Sequence, residues 1–550
     1  MKTSTIKKQT VTTIIIAVCT IVLIILYFAV LSPLLNSTTE ENGAPALLNG
    51  ESLGTQNRIF LYEYMSPEDI KSVAVSNSYG EYSISLSDDG NYYIDDNKNA
   101  PYDTALFSSL CVSVGYSLSM KRILPSPEDG TEPESIDFSI YSLDEENACA
   151  HYTVTSKTGN SYTVWIGDEI VSEQGYYARL EGRNAVYIIG NDIKNTVLSP
   201  IESIVTPMIT LPTSSQDYYK TDYFTVWKKG EHFVTVHMLS TQEELDKYAT
   251  DTRYIMAYAQ NVKSSDVTEA QTLSEVKKLL GDAALKYNYT PAIDEYAAVL
   301  EKFSNFKGES TVKLIEPLKE NADEKETEEY VYKTNSLLSE YGINLTKPAY
   351  ELFFNYNGVN NYAVFSEKNA NGNYYAFSYT FGLIAEIAAD DLAFLDWSFE
   401  EWVESAFFQK NITKVGKISL YSPEASYDFT LTHTDGNSAN DKLSVKEENS
   451  AKTINTAQFR EFFKVLLTRE IRGKFEGEIP DESKLMATLT ITSVGGSETE
   501  YKFYQSSTQR AYMTINGEGE FYTLTSGVKK MLSDASKLLT GEEIHSEELN

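Results

Sequence analysis

Near its carboxyl end the sequence repeats the order of elements with which it begins, and this repetition constrains the fold more than any other feature. Asp103-Thr104-Ala105-Leu106-Phe107 returns as Asn455-Thr456-Ala457-Gln458-Phe459, and Ala150-His151-Tyr152-Thr153-Val154-Thr155-Ser156 returns as Ala487-Thr488-Leu489-Thr490-Ile491-Thr492-Ser493. In each copy a capping residue opens a helical stripe. The first stripe is Leu106, Phe107, Leu110, Cys111, Val114 and Leu118; the other is Phe459, Phe462, Phe463, Leu466 and Leu467. Both follow period-two runs: Val73, Val75, Tyr82, Ile84, Leu86 and Tyr93 around the hairpin signal Asp89-Gly90, then Ile418, Leu420 and Tyr427 to Leu431 ahead of Asp435-Gly436. A fainter middle copy shows in Gly230-Glu231-His232-Phe233-Val234-Thr235-Val236, which follows Gly80-Glu81-Tyr82-Ser83-Ile84-Ser85-Leu86. Gly372-Asn373-Tyr374-Tyr375-Ala376 likewise echoes Gly175-Tyr176-Tyr177-Ala178. The pattern predicts an α+β fold of about three tandem units, each an antiparallel sheet with covering helices.

The expected units span 58–210, 218–400 and 411–542. The middle one is enlarged by a helical insertion at about 241–289, opened by the capping-box match Thr241-Gln242-Glu243-Glu244. A short helix over Asp192 to Leu198 closes the first. Asn321 to Tyr330, with five acidic residues against Lys325, reads as a solvated face or loop. Residues 36–57, rich in Asn, Ser, Thr, Glu and Gly, read as a polar linker.

Ahead of that linker, Ile14 to Leu31 is an apolar run with Thr20 as its one polar residue besides the Tyr27 hydroxyl, and nothing charged occurs between Lys8 and Glu40. As a helix it rises roughly 27 Å, against a hydrocarbon core of about 30 Å. Residues 1–35 are therefore expected to form a single-pass transmembrane anchor. Lys2, Lys7 and Lys8 place the amino terminus in the cytoplasm and the bulk outside the cell membrane. A cleaved signal peptide shares the early layout, but the run exceeds the roughly 7 to 15 residues of a signal core, and Ala29-Val30-Leu31 ends in Leu where a small residue is wanted.

A net charge of −33 makes nucleic acid and anionic lipid poor partners for the surface as a whole. Cysteines are too few for a disulfide framework: Cys19 falls in the apolar run, and only Cys111 and Cys149 lie beyond it. One bridge between them is the alternative in an oxidising compartment, but in the repeat register they align with Phe463 and Met486, so both are expected as buried thiols.

The search for chemistry assigns no catalytic, cofactor-binding or metal-ligating residue, and no cofactor. Gly50-Glu51-Ser52-Leu53-Gly54 matches a nucleophile elbow formally, but no strand precedes it. His232 and His237, five apart in a strand pattern, fall on opposite faces. Asp435-Gly436-Asn437 with Asn440 and Asp441 offers oxygen ligands to calcium, yet the turn explains Asp-Gly. Lys157-Thr158-Gly159 and Ser274-Glu275-Val276-Lys277 occur in the wrong order for a penicillin-binding enzyme.

At Tyr92-Tyr93-Ile94, Tyr102-Asp103, Ile166-Gly167-Asp168, Tyr176-Tyr177-Ala178 and Val186-Tyr187-Ile188 the chain resembles the bacterial family catalogued as domain of unknown function 4340 (DUF4340). It departs from that pattern where Tyr92 stands for Trp, and Tyr141-Ser142-Leu143 lacks the Gly and the nearby Pro that Tyr341-Gly342-Ile343 and Pro348 retain. The resemblance covers about Ile70 to Thr206. It implies a membrane-anchored extracytoplasmic protein associated with ABC-type transporter subunits of the gliding-motility-auxiliary kind, and it carries over no catalytic residue.

The sequence thus points to a non-catalytic interaction scaffold or accessory subunit. Two alternatives remain beside it: a surface glycan-binding module using tyrosines as stacking platforms, and a hydrolase with an unrecognised carboxylate pair.

Overall fold

The computed structural model describes residues 44–546 except 173, 213–219, 248–251, 259–285, 320, 357 and 435–440. The expected anchor lies outside the described residues, and among those described no helix is long and apolar enough to cross a membrane. The fold is α+β, with four antiparallel sheets, three of them large. By contacts the chain divides into two compact units. One joins the residues up to Ser83 with Ser108–Pro200; the other joins Ile84–Phe107 with the residues from Ile201 on.

The first large sheet runs, in spatial order, Tyr92–Ile94, Gly80–Leu86, Ile70–Asn77, Ala150–Ser156, Ser161–Ile170, Gly175–Leu180, Val186–Gly190 and Lys121–Leu124. The chain lays three strands outward from Ile70–Asn77, passes through helix α1 (Thr104–Gly115) to the far edge at Lys121–Leu124, and returns to pair Ala150–Ser156 with the strand it began on. Asp103 caps α1, its Oδ1 accepting from the Ala105 and Leu106 amides. Leu110, Cys111 and Val114 are buried. Two members of the expected stripe depart from it: Leu106 is exposed, and Leu118 lies past the helix end, on the strand Leu118–Ser119. Gly115 ends the helix where a Cβ would stand 2.3 Å from the Met65 carbonyl oxygen, a space only glycine fills.

The expected linker is shorter than its composition suggests. Ser52–Leu53 pairs with Ile59–Phe60, which pairs with Leu118–Ser119, forming a small sheet of three strands. Leu48 and Glu51 are buried, and Glu51 is tied to Arg122. Cys149 also departs from expectation. It is exposed, in the turn just before the strand Ala150–Ser156, whereas Cys111 is buried and its thiol is pushed up to about 12 by desolvation. Both thiols are free.

In the second unit the strand order of the first sheet recurs, lengthened by one outer strand: Lys286–Tyr289, Tyr254–Tyr258, Glu231–Met238, Thr221–Lys228, Tyr350–Tyr356, Val359–Phe365, Tyr374–Ser378, Leu383–Ile387 and Ser310–Leu314. Helix α2 (Gln242–Lys247) opens at Thr241, which accepts from the Glu244 amide while Glu244 accepts from the Thr241 amide. Within the span expected as a helical insertion, Tyr254–Tyr258 and Lys286–Tyr289 extend the sheet, and 259–285 lie outside the described residues. Helix α3 (Ile293–Phe303) covers one face. Phe224 is its aromatic centre, with rings of Tyr296, Phe303, Phe354, Phe394 and Trp402 at centroid distances of 5.4 to 6.5 Å.

The acidic run, expected as a solvated face or loop, is the largely exposed opening of a helix, α4 (Glu324–Glu340). Asp323 and Glu326 form a reciprocal capping box, so the carboxylates cluster where the helix dipole favours negative charge. Leu338 on α4 packs with Ile315, Ile343, Val364, Phe377 and Ile384 over the other face of the sheet. A four-residue helix, α5 (Phe399–Trp402), precedes the third sheet.

That sheet repeats the order again: Lys452–Ile454, Ser444–Glu447, Ser426–Thr432, Val415–Tyr421, Leu485–Ser493, Glu498–Gln505, Arg510–Ile515, Glu518–Leu524 and Gly473–Lys474. Helix α6 (Thr456–Leu467), capped by Asn455, buries Phe459, Phe462 and Phe463, and Phe459 sits 5.5 Å from the Phe429 ring. A last helix, α7 (Thr525–Thr540), ends at Gly541 in the left-handed conformation.

Candidate functional site

The helix α4 is what sets the second unit apart. Where it stands, between the far-edge strand and the returning strand, the first unit has only the 3-10 turn Phe138–Tyr141 and the third sheet only Glu482–Lys484. Beside α4 lies a cleft of about 280 Å³. Tyr330, Val331, Thr334 and Asn335 line it from the helix, at spacings that share one helical face. Opposite them stand Phe377, Tyr379 and Thr380, with Leu318 and Pro317 from the loop after Ser310–Leu314.

Asn97 holds the cleft's floor. Its side-chain amide is buried and donates to the carbonyl oxygens of Phe381 at 2.9 Å, Gly382 at 3.1 Å and Ile315 at 3.2 Å, while its Oδ1 accepts from the Asn99 amide. Gly382 is required there. Its φ is +59°, and a Cβ would meet the Asn97 Nδ2 at 2.7 Å.

The aromatic wall is packed from behind. The Tyr379 ring packs at a tilt against Phe377 and Tyr362, with centroids 4.4 and 5.1 Å away, and its hydroxyl is pushed up to about 12, first by desolvation and then by the charges of Glu351 and Tyr330. Tyr362 donates to Glu351 Oε1 at 2.5 Å, so the buried carboxylate fixes the ring that supports Tyr379. Acidic residues flank the Asn97 side: Asp96 is raised above the usual carboxylate range by desolvation and by the neighbouring Glu316 and Asp95.

Every side chain lining the cleft is apolar, hydroxyl, amide or absent. Such a lining can hold an aromatic, aliphatic or cationic group by contact and stacking. It contains no nucleophile with an adjacent base and neither member of a carboxylate pair.

The residues singled out in the sequence lie elsewhere. Ser52 is on a short exposed strand with no α-helix after it. Lys157-Thr158-Gly159 forms the turn between Ala150–Ser156 and Ser161–Ile170. His237 has Nε2 3.7 Å from Glu244 Oε1 on the strand Glu231–Met238. The side chain of His232, Ser274 to Lys277 and Asp435 to Asn440 are outside the described residues. Asp441 bonds His433 Nδ1 at 2.6 Å and the Thr434 amide at 2.9 Å, and His433 Nε2 faces the Val415 carbonyl oxygen at 2.9 Å. Among the described residues no His, Cys, Asp and Glu side chains are grouped to hold a metal ion.

Two other shifted groups serve as fastenings. Lys228, lowered to about 8 by burial, donates to the Trp397 carbonyl oxygen at 2.6 Å and lies 3.7 Å from the Phe233 ring centre. Glu520, raised to about 7 by burial, accepts from the Tyr289 hydroxyl at 2.7 Å.

Sequence reasoning missed Tyr330, Tyr379 and Asn97. One signal was available: Asp323-x-x-Glu326 marks a helix start, and Tyr330, Thr334, Leu337, Leu338 and Tyr341 continue at helical spacing.

Fold and cleft together define an antiparallel α+β protein of repeated strand order with a cleft lined by aromatic side chains. Compared with known proteins, the chain matches no family model, no curated protein and no solved structure.

Proposed function

We propose that this chain is a non-catalytic, membrane-tethered extracytoplasmic protein that works by protein contact, as an accessory subunit of an ABC-type transport complex. The observation that carries the binding reading is the cleft beside α4, walled by Tyr330, Phe377 and Tyr379, with no carboxylate, histidine, cysteine, lysine or arginine side chain in its lining. Its acidic flank at Asp95, Asp96 and Glu316 suits a basic or apolar side chain of a partner protein. The apolar run Ile14 to Leu31 with Lys2, Lys7 and Lys8 before it supports the tether, and the resemblance to the DUF4340 family supports the transporter as partner. The same strand order in three large sheets supports a descent from three copies of one unit.

A second reading draws on the same cleft. Tyr379 is half-exposed at its mouth, and a sugar ring stacks on such a face.

Gentle detergent extraction and affinity purification of the full-length chain separates the two. Recovery of a transporter subunit in near-stoichiometric amount, lost in Tyr379→Ala, is the expected result. Recovery of the chain alone in several mild detergents, or with glycan fragments, contradicts it.

A further inference from the structure

In a chain with 79 acidic residues, two neighbouring surface stretches of the first unit have none: Ser52 to Tyr62 carries only Arg58, and Ser108 to Lys121 only Lys121. They build one apolar face. Tyr64 is 56% exposed, Val112 49%, Leu53 47% and Tyr116 43%. The Tyr116 ring meets Phe60 at 5.2 Å and Tyr64 at 5.8 Å, both edge-on. The Tyr116 amide donates to the Val112 carbonyl at 2.8 Å, which continues the helical turn of α1 and keeps the two side chains on one side. Gly54 lies against Phe60 and Leu118, which brings Leu53 to the same edge.

We propose that this face rests on the surface of the bilayer, with Tyr64, Val112 and Tyr116 at the headgroup level. The proposal depends on the tether reading above. Three observations select lipid as the occupant. Tyrosine with aliphatic neighbours is the composition of a membrane interface. Around the face Arg58 and Lys121 outnumber the one exposed acid beside Tyr64, Glu63, so the repulsion that keeps the rest of this acidic surface away from anionic lipid is reduced here. The chain also reaches: twelve residues lie between Leu31, at the end of the apolar run, and Ala44, a span of at most roughly 45 Å, and Leu53 of the face follows nine residues after Ala44.

The test uses the full-length chain in nanodiscs of phosphatidylcholine and phosphatidylglycerol. Val112→Cys, in a background of Cys19→Ala and Cys149→Ala that keeps the buried Cys111, carries an environment-sensitive fluorophore. Val171→Cys, at a position 81% exposed, is the aqueous control. Nitroxide-bearing lipid is expected to quench the Val112 label at least threefold more than the control, and Tyr64→Glu with Tyr116→Glu is expected to abolish the difference. Incorporation of the chain with equal quenching at both positions overturns the proposal while leaving the tether standing. A label that is blue-shifted but unquenched also overturns it, because protein then covers the face. Failure of the chain to stay with carbonate-washed vesicles overturns the tether, and this proposal with it.

Discussion

Glu51 and Arg122, far apart in the sequence, meet at 2.6 Å as an ion pair whose two side chains are fully withdrawn from solvent. Each side-chain nitrogen of Arg122 and each carboxylate oxygen of Glu51 has a hydrogen-bond partner. Arg122 donates to the carbonyl oxygens of Ala46, Pro125, Ser126 and Asp129, and Glu51 accepts from the Leu48 amide and the Tyr187 hydroxyl. Arg183 completes the network through Tyr187, Leu61 and Asn49. This pins the start of the described chain onto the first unit.

Removing one partner strands a buried charge. Arg122→Met is expected to destabilise the first unit by about 3 to 5 kcal/mol, measured by denaturant unfolding, and Arg122→Met with Glu51→Leu to recover much of that loss. A single variant within about 0.5 kcal/mol of the parent would mean the pair is not closed in solution.

Glu520 gives stability an unusual pH dependence. Its carboxyl is raised from 4.5 to about 7 in the fold, so between these values the folded chain holds a proton that the unfolded chain has released. Its contribution is therefore full below about pH 4.5 and lost as pH rises through about 7. The thermal midpoint of Glu520→Gln should show a smaller decline over that window than the parent. An identical pH profile for both chains would contradict the assignment.

The thiols report burial directly. A thiol reagent is expected to label Cys149 in the native chain without reductant and to reach Cys111 only on denaturation. Cys149→Ser should remove the native labelling outside the apolar run. Rapid native labelling of Cys111 would mean that α1 is not seated on its sheet.

Local signals were legible in the sequence where one residue fixes its neighbours. Asp103 and Asn455 both stand as caps, and Phe459, Phe462 and Phe463 turn one buried face, because cap and stripe are written within a few residues of each other. Cys149 was misread because the copy that aligned it fixes strand register only from Ala150 on, and the turn before the strand is exposed. Helix α4 was hidden by its own first turn, whose acidic residues satisfy the dipole and the cap but resemble a solvated loop in composition. The burial of Glu51 was illegible because the partner that compensates it lies seventy-one residues away. The cleft was illegible for the same reason: Asn97, Leu318, Tyr330 and Tyr379 converge only through sheet topology, and none bears a motif.

The proposed function requires the cleft beside α4 to hold a partner protein at the membrane. A photo-crosslinking amino acid in place of Tyr379, activated in intact cells, measures this most directly, with the same group at Tyr421, half-exposed on the third sheet, as control. The account predicts one dominant adduct from Tyr379, containing a subunit of an ABC-type transporter, and little from Tyr421. No adduct from Tyr379, or the same diffuse pattern from both positions, would contradict it.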